Sequence, residues 1–91
     1  MHYSYNPAKQ AANLKKHGLD FDDASQVIES DATVTFEDQR FDYGEPRFVT
    51  IGELQGVVIV IVTTETDDEI RIISMRKATK HEQTIYYQNL R

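Results

Sequence analysis

The residues best suited to chemistry lie near the two ends of the chain. Lys9, Asn13 and Lys16 recur at helical spacing, and His17 follows Asn13 by four, so one helix face would carry all four. Near the other end, Arg71, Ser74, Arg76 and Lys77 fall within a run that reads as a strand. Regular alternation there would point Ile70, Ile72, Ser74 and Arg76 one way and Arg71, Ile73, Met75 and Lys77 the other. Cations and hydroxyls of this kind suit anions, and the planar fork of arginine suits a phosphate. An arginine inside an apolar strand needs a partner, because burying an unpaired guanidinium is costly. Arg71 therefore either meets one of the many carboxylates by salt bridge or lines a phosphate-binding cleft. His17, just before Gly18, either offsets the negative end of a helix or acts as an acid or base.

Other chemistries lack their residues. There is no cysteine, hence no disulfide, thiol nucleophile or thiolate metal site. The acidic groups Asp20/Asp22/Asp23 and Asp67/Asp68/Glu69 are explained by helix capping and a turn. His2, His17 and His81 have no ligand spacing, so no metal and no cofactor is expected. The glycines at 18, 44, 52 and 56 make no phosphate loop, and no serine-nucleophile motif occurs.

The elements that position these residues can be read from 91 residues carrying 40% hydrophobic and 27% charged side chains, a composition of one folded domain spanning 1–91. The longest apolar run, Val57 to Val62, is far short of the ~20 residues of a membrane span. The first residues do not read as a secretory signal, and a cytoplasmic address is expected. Net charge is −5, distributed unevenly: +3 over residues 1–19, −12 over 20–69 and +4 over 70–91. If the basic ends meet in space, they form a cationic patch on an acidic body.

Asn6-Pro7 opens a first helix that Gly18 stops, with Ala8, Ala11 and Ala12 as a small-residue face for close packing. A second helix follows from Asp20 to Ser30. Strands are expected at Thr33–Phe36, Arg47–Gly52, Val57–Thr64 and Ile70–Met75, with a charged loop from Arg40 to Pro46 and a hairpin turn around 53–56. Val57–Val62 is apolar on both faces, which marks a central strand. Thr79-Lys-His-Glu82 matches a capping box opening a last helix to about Leu90. The expected fold is α+β: two N-terminal helices, an antiparallel sheet of about four strands and a C-terminal helix.

Taken in order, these residues resemble the BrnT family, the toxin half of BrnT/BrnA toxin–antitoxin pairs. The resemblance runs through Asn6-Pro-Ala-Lys9, Asn13-Leu-Lys-Lys-His17-Gly18, Phe21 and Ala24. It continues through Tyr43-Gly-Glu-Pro-Arg47, Ile51-Gly52, Thr64, Arg71-Ile-Ile-Ser74, Arg76-Lys-Ala-Thr, Glu82 and Tyr86-Tyr87. Two departures from the family pattern stand out: Tyr5-Asn6 replaces Trp-Asp, and bulky Met75 stands where a small residue is usual, beside the candidate site.

The resemblance implies a RelE-like fold and metal-independent ribonuclease activity that inhibits translation, by 2′-hydroxyl attack on the adjacent phosphorus. On that reading Arg71 and Arg76 stabilise the phosphate, Arg47 assists, and His17 is the acid or base. Lys9, Lys16 and Lys77 hold the RNA, while Ser74 and Tyr87 orient it. The implied partner is a BrnA-like antitoxin, a DNA-binding protein of ribbon-helix-helix type. Because the chain is acidic, contact with DNA is expected only through that antitoxin, and contact with a membrane is not expected. The competing expectation is a catalytically degenerate module that keeps the antitoxin interface, its acidic stretch from Glu37 to Glu45 attracting the partner.

Overall fold

The computed structural model describes residues 2–39 and 44–90. In chain order these form β1 (His2–Ser4), α1 (Pro7–His17), a 3₁₀ turn (Phe21–Asp23) and α2 (Ala24–Ile28). Then come β2 (Val34–Asp38), β3 (Arg47–Leu54), β4 (Val57–Glu65), β5 (Glu69–Lys77) and α3 (Lys80–Asn89). The α+β class is as expected, but the sheet is mixed and has five strands in the order β1-β5-β4-β3-β2. The additional strand is β1, which lies parallel to Glu69–Arg71 of β5. Three residues carry too short a pattern to announce a strand. The expected second helix divides into the 3₁₀ turn and a short α2, and residues 40–43 of the expected loop lie outside the described residues.

The termini of the helices follow local chemistry. Asn6 Oδ1 accepts from the backbone N–H groups of Ala8 and Lys9, and Gly18 closes α1 at φ 70°, a conformation easy only for glycine. The capping box of α3 is complete: Thr79 Oγ1 accepts from Glu82 N, and Glu82 Oε1 accepts from Thr79 N. Between β3 and β4 the two-residue turn Gln55-Gly56 has positive φ at both positions, which matches the twist of a hairpin.

The sheet separates two apolar layers. On one face Ile59, Ile61, Ile70, Ile72 and Met75 pack with Leu54 against Phe21, Ala24 and Val27. On the other, Ile51, Val58 and Val60 pack against Tyr86 of α3. Ile59, Val60 and Ile61 are fully buried, as the two-faced apolar run of β4 requires. Gly52 permits close packing of α2, since a Cβ there would approach Val27 Cγ1 to 2.7 Å. Tyr5 supplies an aromatic contact edge-to-face with Phe21 at 5.7 Å, and its hydroxyl donates to Asp22.

The alanines of α1 do not face the core; Ala8, Ala11 and Ala12 are exposed. Instead α1 presents a polar face to the edge of β5, beyond the short stretch paired with β1. There Asn13, only 9% exposed, accepts from Met75 N and donates to Leu19 O, both at 3.2 Å. A buried backbone N–H on a strand edge needs such a partner. Asn13→Ala leaves both groups without it, and folding stability should fall by roughly 1–3 kcal/mol in denaturant titrations. Unchanged stability would show that the bridge contributes nothing.

Candidate functional site

Along β5 the pairing with β4 shifts: Thr63 faces Ile72, whereas Val62 faces Ser74, leaving Ile73 as an extra residue. This bulge resets the alternation. Ile70 and Ile72 share a core layer with Met75, not with Ser74 and Arg76. Arg71, Ser74 and Arg76 consequently lie on one sheet face, where unbroken alternation had set Arg71 on the opposite face. Rows across that face read Arg76–Val60–Ile51–Val34, then Ser74–Val62–Val49–Phe36, then Arg71–Thr64–Arg47–Asp38. Four of the sequence-predicted residues, Arg47, Arg71, Ser74 and Arg76, thus occupy one surface. The Met75 side chain is fully buried in the opposite layer, so its bulk stays away from this surface, contrary to expectation.

A cleft of about 260 Å³ lies between α1 and β5, lined by Lys9, Ala12, Asn13, Lys16, His17, Ile73 and Ser74. The helical spacing of Lys9, Asn13, Lys16 and His17 does gather them on one face. Lys9 and Lys16 are exposed and His17 is half-buried in the last turn of α1. Ser74 belongs both to this cleft and to the arginine-bearing rows. It is the point at which the basic N-terminal helix and the basic last strand meet. The arrangement offers ammonium, imidazole and hydroxyl groups to an anion seated at the edge of β5.

The arginines differ in their commitments. Arg71 is exposed and makes no ion pair among the described residues. Arg47 is half-buried and sits between Asp38 and Thr64 in register. Arg76 is held in a fork by Glu82, with Nη1 to Oε1 at 2.6 Å and Nη2 to Oε2 at 2.7 Å. It lines a second groove of about 310 Å³ with Phe36, Glu37, Asp38, Gln39, Val49 and Glu82. That groove shares no lining residue with the α1 cleft. Glu82 is the residue whose second role sequence reading missed: its capping-box signal was legible, its pairing with Arg76 was not.

Two other expected RNA contacts lie apart. Lys77 faces Ile59 in register and so belongs to the opposite side of the sheet from Arg71 and Arg76. Tyr87, 56% exposed, lines an open groove of about 480 Å³ on α3 with Lys80, Gln83 and Thr84. Among the described residues, no three His, Asp or Glu side chains are grouped to hold a metal ion, and no helix is long and apolar enough to cross a membrane.

Fold and site together define a small α+β protein with cations clustered around one strand edge and one sheet face, suited to a phosphate-bearing ligand. The chain belongs to the BrnT family: the family model, described as the ribonuclease toxin BrnT of type II toxin–antitoxin systems, matches residues 5–82. Membership implies an RNA substrate and an antitoxin partner. The match includes every sequence-predicted site residue except Tyr87 and ends at Glu82. No curated protein matches the chain.

The Arg76 guanidinium, with the Thr79 backbone N–H of the cap, holds the Glu82 carboxyl down to about 2. A carboxyl lowered from its ordinary value stabilises the fold above that value and loses the contribution as pH falls through the folded one. Glu82→Gln should therefore melt below the parent at pH 6, and the gap should close between about pH 4.5 and pH 2. A gap that stayed constant over this range would contradict the charged pair.

Proposed function

We propose that residues 1–91 form a single cytoplasmic BrnT-like toxin domain that cleaves RNA without a metal ion and so stops translation. The supporting observation is the cleft between α1 and β5, where Lys9, Lys16, His17 and Ser74 converge beside the arginine-bearing face. A 2′-hydroxyl attacks the neighbouring phosphorus; the new O–P bond forms as the bond to the 5′-oxygen breaks. One proton leaves the 2′-oxygen and one reaches the departing 5′-oxygen. The products carry a 2′,3′-cyclic phosphate and a 5′-hydroxyl.

His17 serves as a proton-transfer group, histidine being the side-chain type that exchanges protons near neutral pH. Arg71, exposed and without an ion-pair partner among the described residues, stabilises the charge that builds on the phosphorane, with Arg47 assisting from the same row. Arg76 contributes an oriented guanidinium: Glu82 engages two of its N–H donors and leaves others for phosphate. Lys9 and Lys16 hold the backbone and Ser74 orients the scissile group. Lys77 and Tyr87 contact RNA only outside the cleft. A BrnA-like antitoxin of ribbon-helix-helix type neutralises the toxin and brings the complex to DNA.

One observation favours a second reading, a catalytically degenerate antitoxin-binding module acting in operon repression. Arg76 and the α1 cleft line separate grooves, and Arg76 is paired with a carboxylate.

Purified protein incubated with end-labelled RNA in EDTA should yield fragments ending in cyclic phosphate. Arg71→Ala and His17→Ala should each slow cleavage by ~10²–10³, and Arg76→Ala by less, because Glu82 already offsets its charge. Intact RNA with folded parent protein would leave the module reading standing. Cleavage undiminished in both variants would remove the site assignment.

A further inference from the structure

The two edges of the sheet are finished differently. On the β5 side the edge is closed, first by β1 and then by α1 through the Asn13–Met75 bond. On the other side β2 is terminal, and no element among the described residues pairs with its outer edge. Its five residues pair with β3 in continuous register, without a bulge, and include neither proline nor lysine. Bulges, proline and lysine are among the devices that blunt a strand edge against a further strand; the charges present on β2 are acidic, Glu37 and Asp38. Phe36 in its middle is 44% exposed and opens onto the groove that Asp38, Val49, Arg76 and Glu82 also line.

The charge on this edge selects among occupants. Glu37 is exposed on one face of β2 and Asp38 ends the strand on the other, within the segment that carries −12. A second copy of this chain would add its own carboxylates to the same seam, and an RNA would bring phosphates to it. A basic polypeptide meets neither repulsion. We propose that the free edge of β2 receives an extended, basic segment of the antitoxin as a sixth strand. Main-chain hydrogen bonds supply the affinity. Side chains of one parity lie over Phe36 and reach Asp38 and Glu82; those of the other meet Glu37. The segment thereby covers the groove that Arg76 lines. The inference rests on the antitoxin that family membership implies, and it holds whether or not the cleft cleaves RNA.

The test compares the protein alone with its complex, formed by co-expression with the antitoxin of its gene pair. Amide hydrogen exchange should slow over Val34–Asp38 in the complex, at alternate residues whose N–H groups face outward. Phe36→Ala should weaken the complex about tenfold, the loss expected of one central aromatic contact. Glu37→Lys should weaken it too, with the effect shrinking at high salt. Both variants alter exposed side chains, and far-ultraviolet circular dichroism establishes that each is folded before binding is measured. Exchange at β2 that is unchanged by the antitoxin, with protection appearing elsewhere, would overturn the proposal. So would variants that bind the antitoxin normally, or a β2 edge protected instead by a labelled RNA oligonucleotide. Binding and exchange are read directly, so an inactive ribonuclease would still give a protected or an unprotected β2.

Discussion

Asn13 joins three parts of the molecule that otherwise have no reason to stay together. Its side chain is nearly inaccessible, accepts from the backbone of β5 and donates to the backbone that follows α1. The bridge substitutes for a missing neighbour strand at the edge of β5, because β1 is too short to cover it. It also fixes which face of α1 looks at the sheet. Lys9, Lys16 and His17 share that face, so the same bond that satisfies an edge amide places them beside Ser74. Any shift of α1 along the edge would carry the cations with it.

The bulge in β5 provides the complementary constraint. By inserting Ile73 it keeps Ile70, Ile72 and Met75 in one core layer while bringing Arg71, Ser74 and Arg76 to the other face. Core packing and site construction are thus solved by the same extra residue. Glu82 likewise serves two ends, capping α3 while fixing the Arg76 fork. The acidic body is compatible with an RNA-directed site because its carboxylates are concentrated in the middle of the chain. The basic N-terminal helix lines the cleft, and Arg71 and Arg76 of the basic last strand lie on the adjoining sheet face.

Much of this was legible in the residues. Asn6-Pro7, Gly18, the two-faced run of β4 and the Thr79–Glu82 box each carry a local signal, and each element stands where its signal falls. The clustering of Lys9, Asn13, Lys16 and His17 followed from helical geometry alone. What escaped was non-local or too short. A bulge has no sequence mark in Ile72-Ile73-Ser74, since all three residues suit either phase of a strand. β1 depends on a partner 67 residues away at its first pair, His2 with Glu69. The alanines suggested close packing, yet a strand edge demands a hydrogen-bonding residue, and Asn13 took the inward position. The fork between Arg76 and Glu82 required knowing that α3 folds back onto the sheet face that carries Arg76.

The central claim is that phosphate seats where α1 meets the bulged edge of β5. The direct measurement is an NMR titration with an RNA oligonucleotide in which every 2′-hydroxyl is methylated, so that it binds without reacting. The largest shift changes should fall on the backbone of His17 and Ser74, the ring of His17 and the Nε–H of Arg71. Changes confined to α3 around Lys80 and Tyr87, or to β2, would contradict the account.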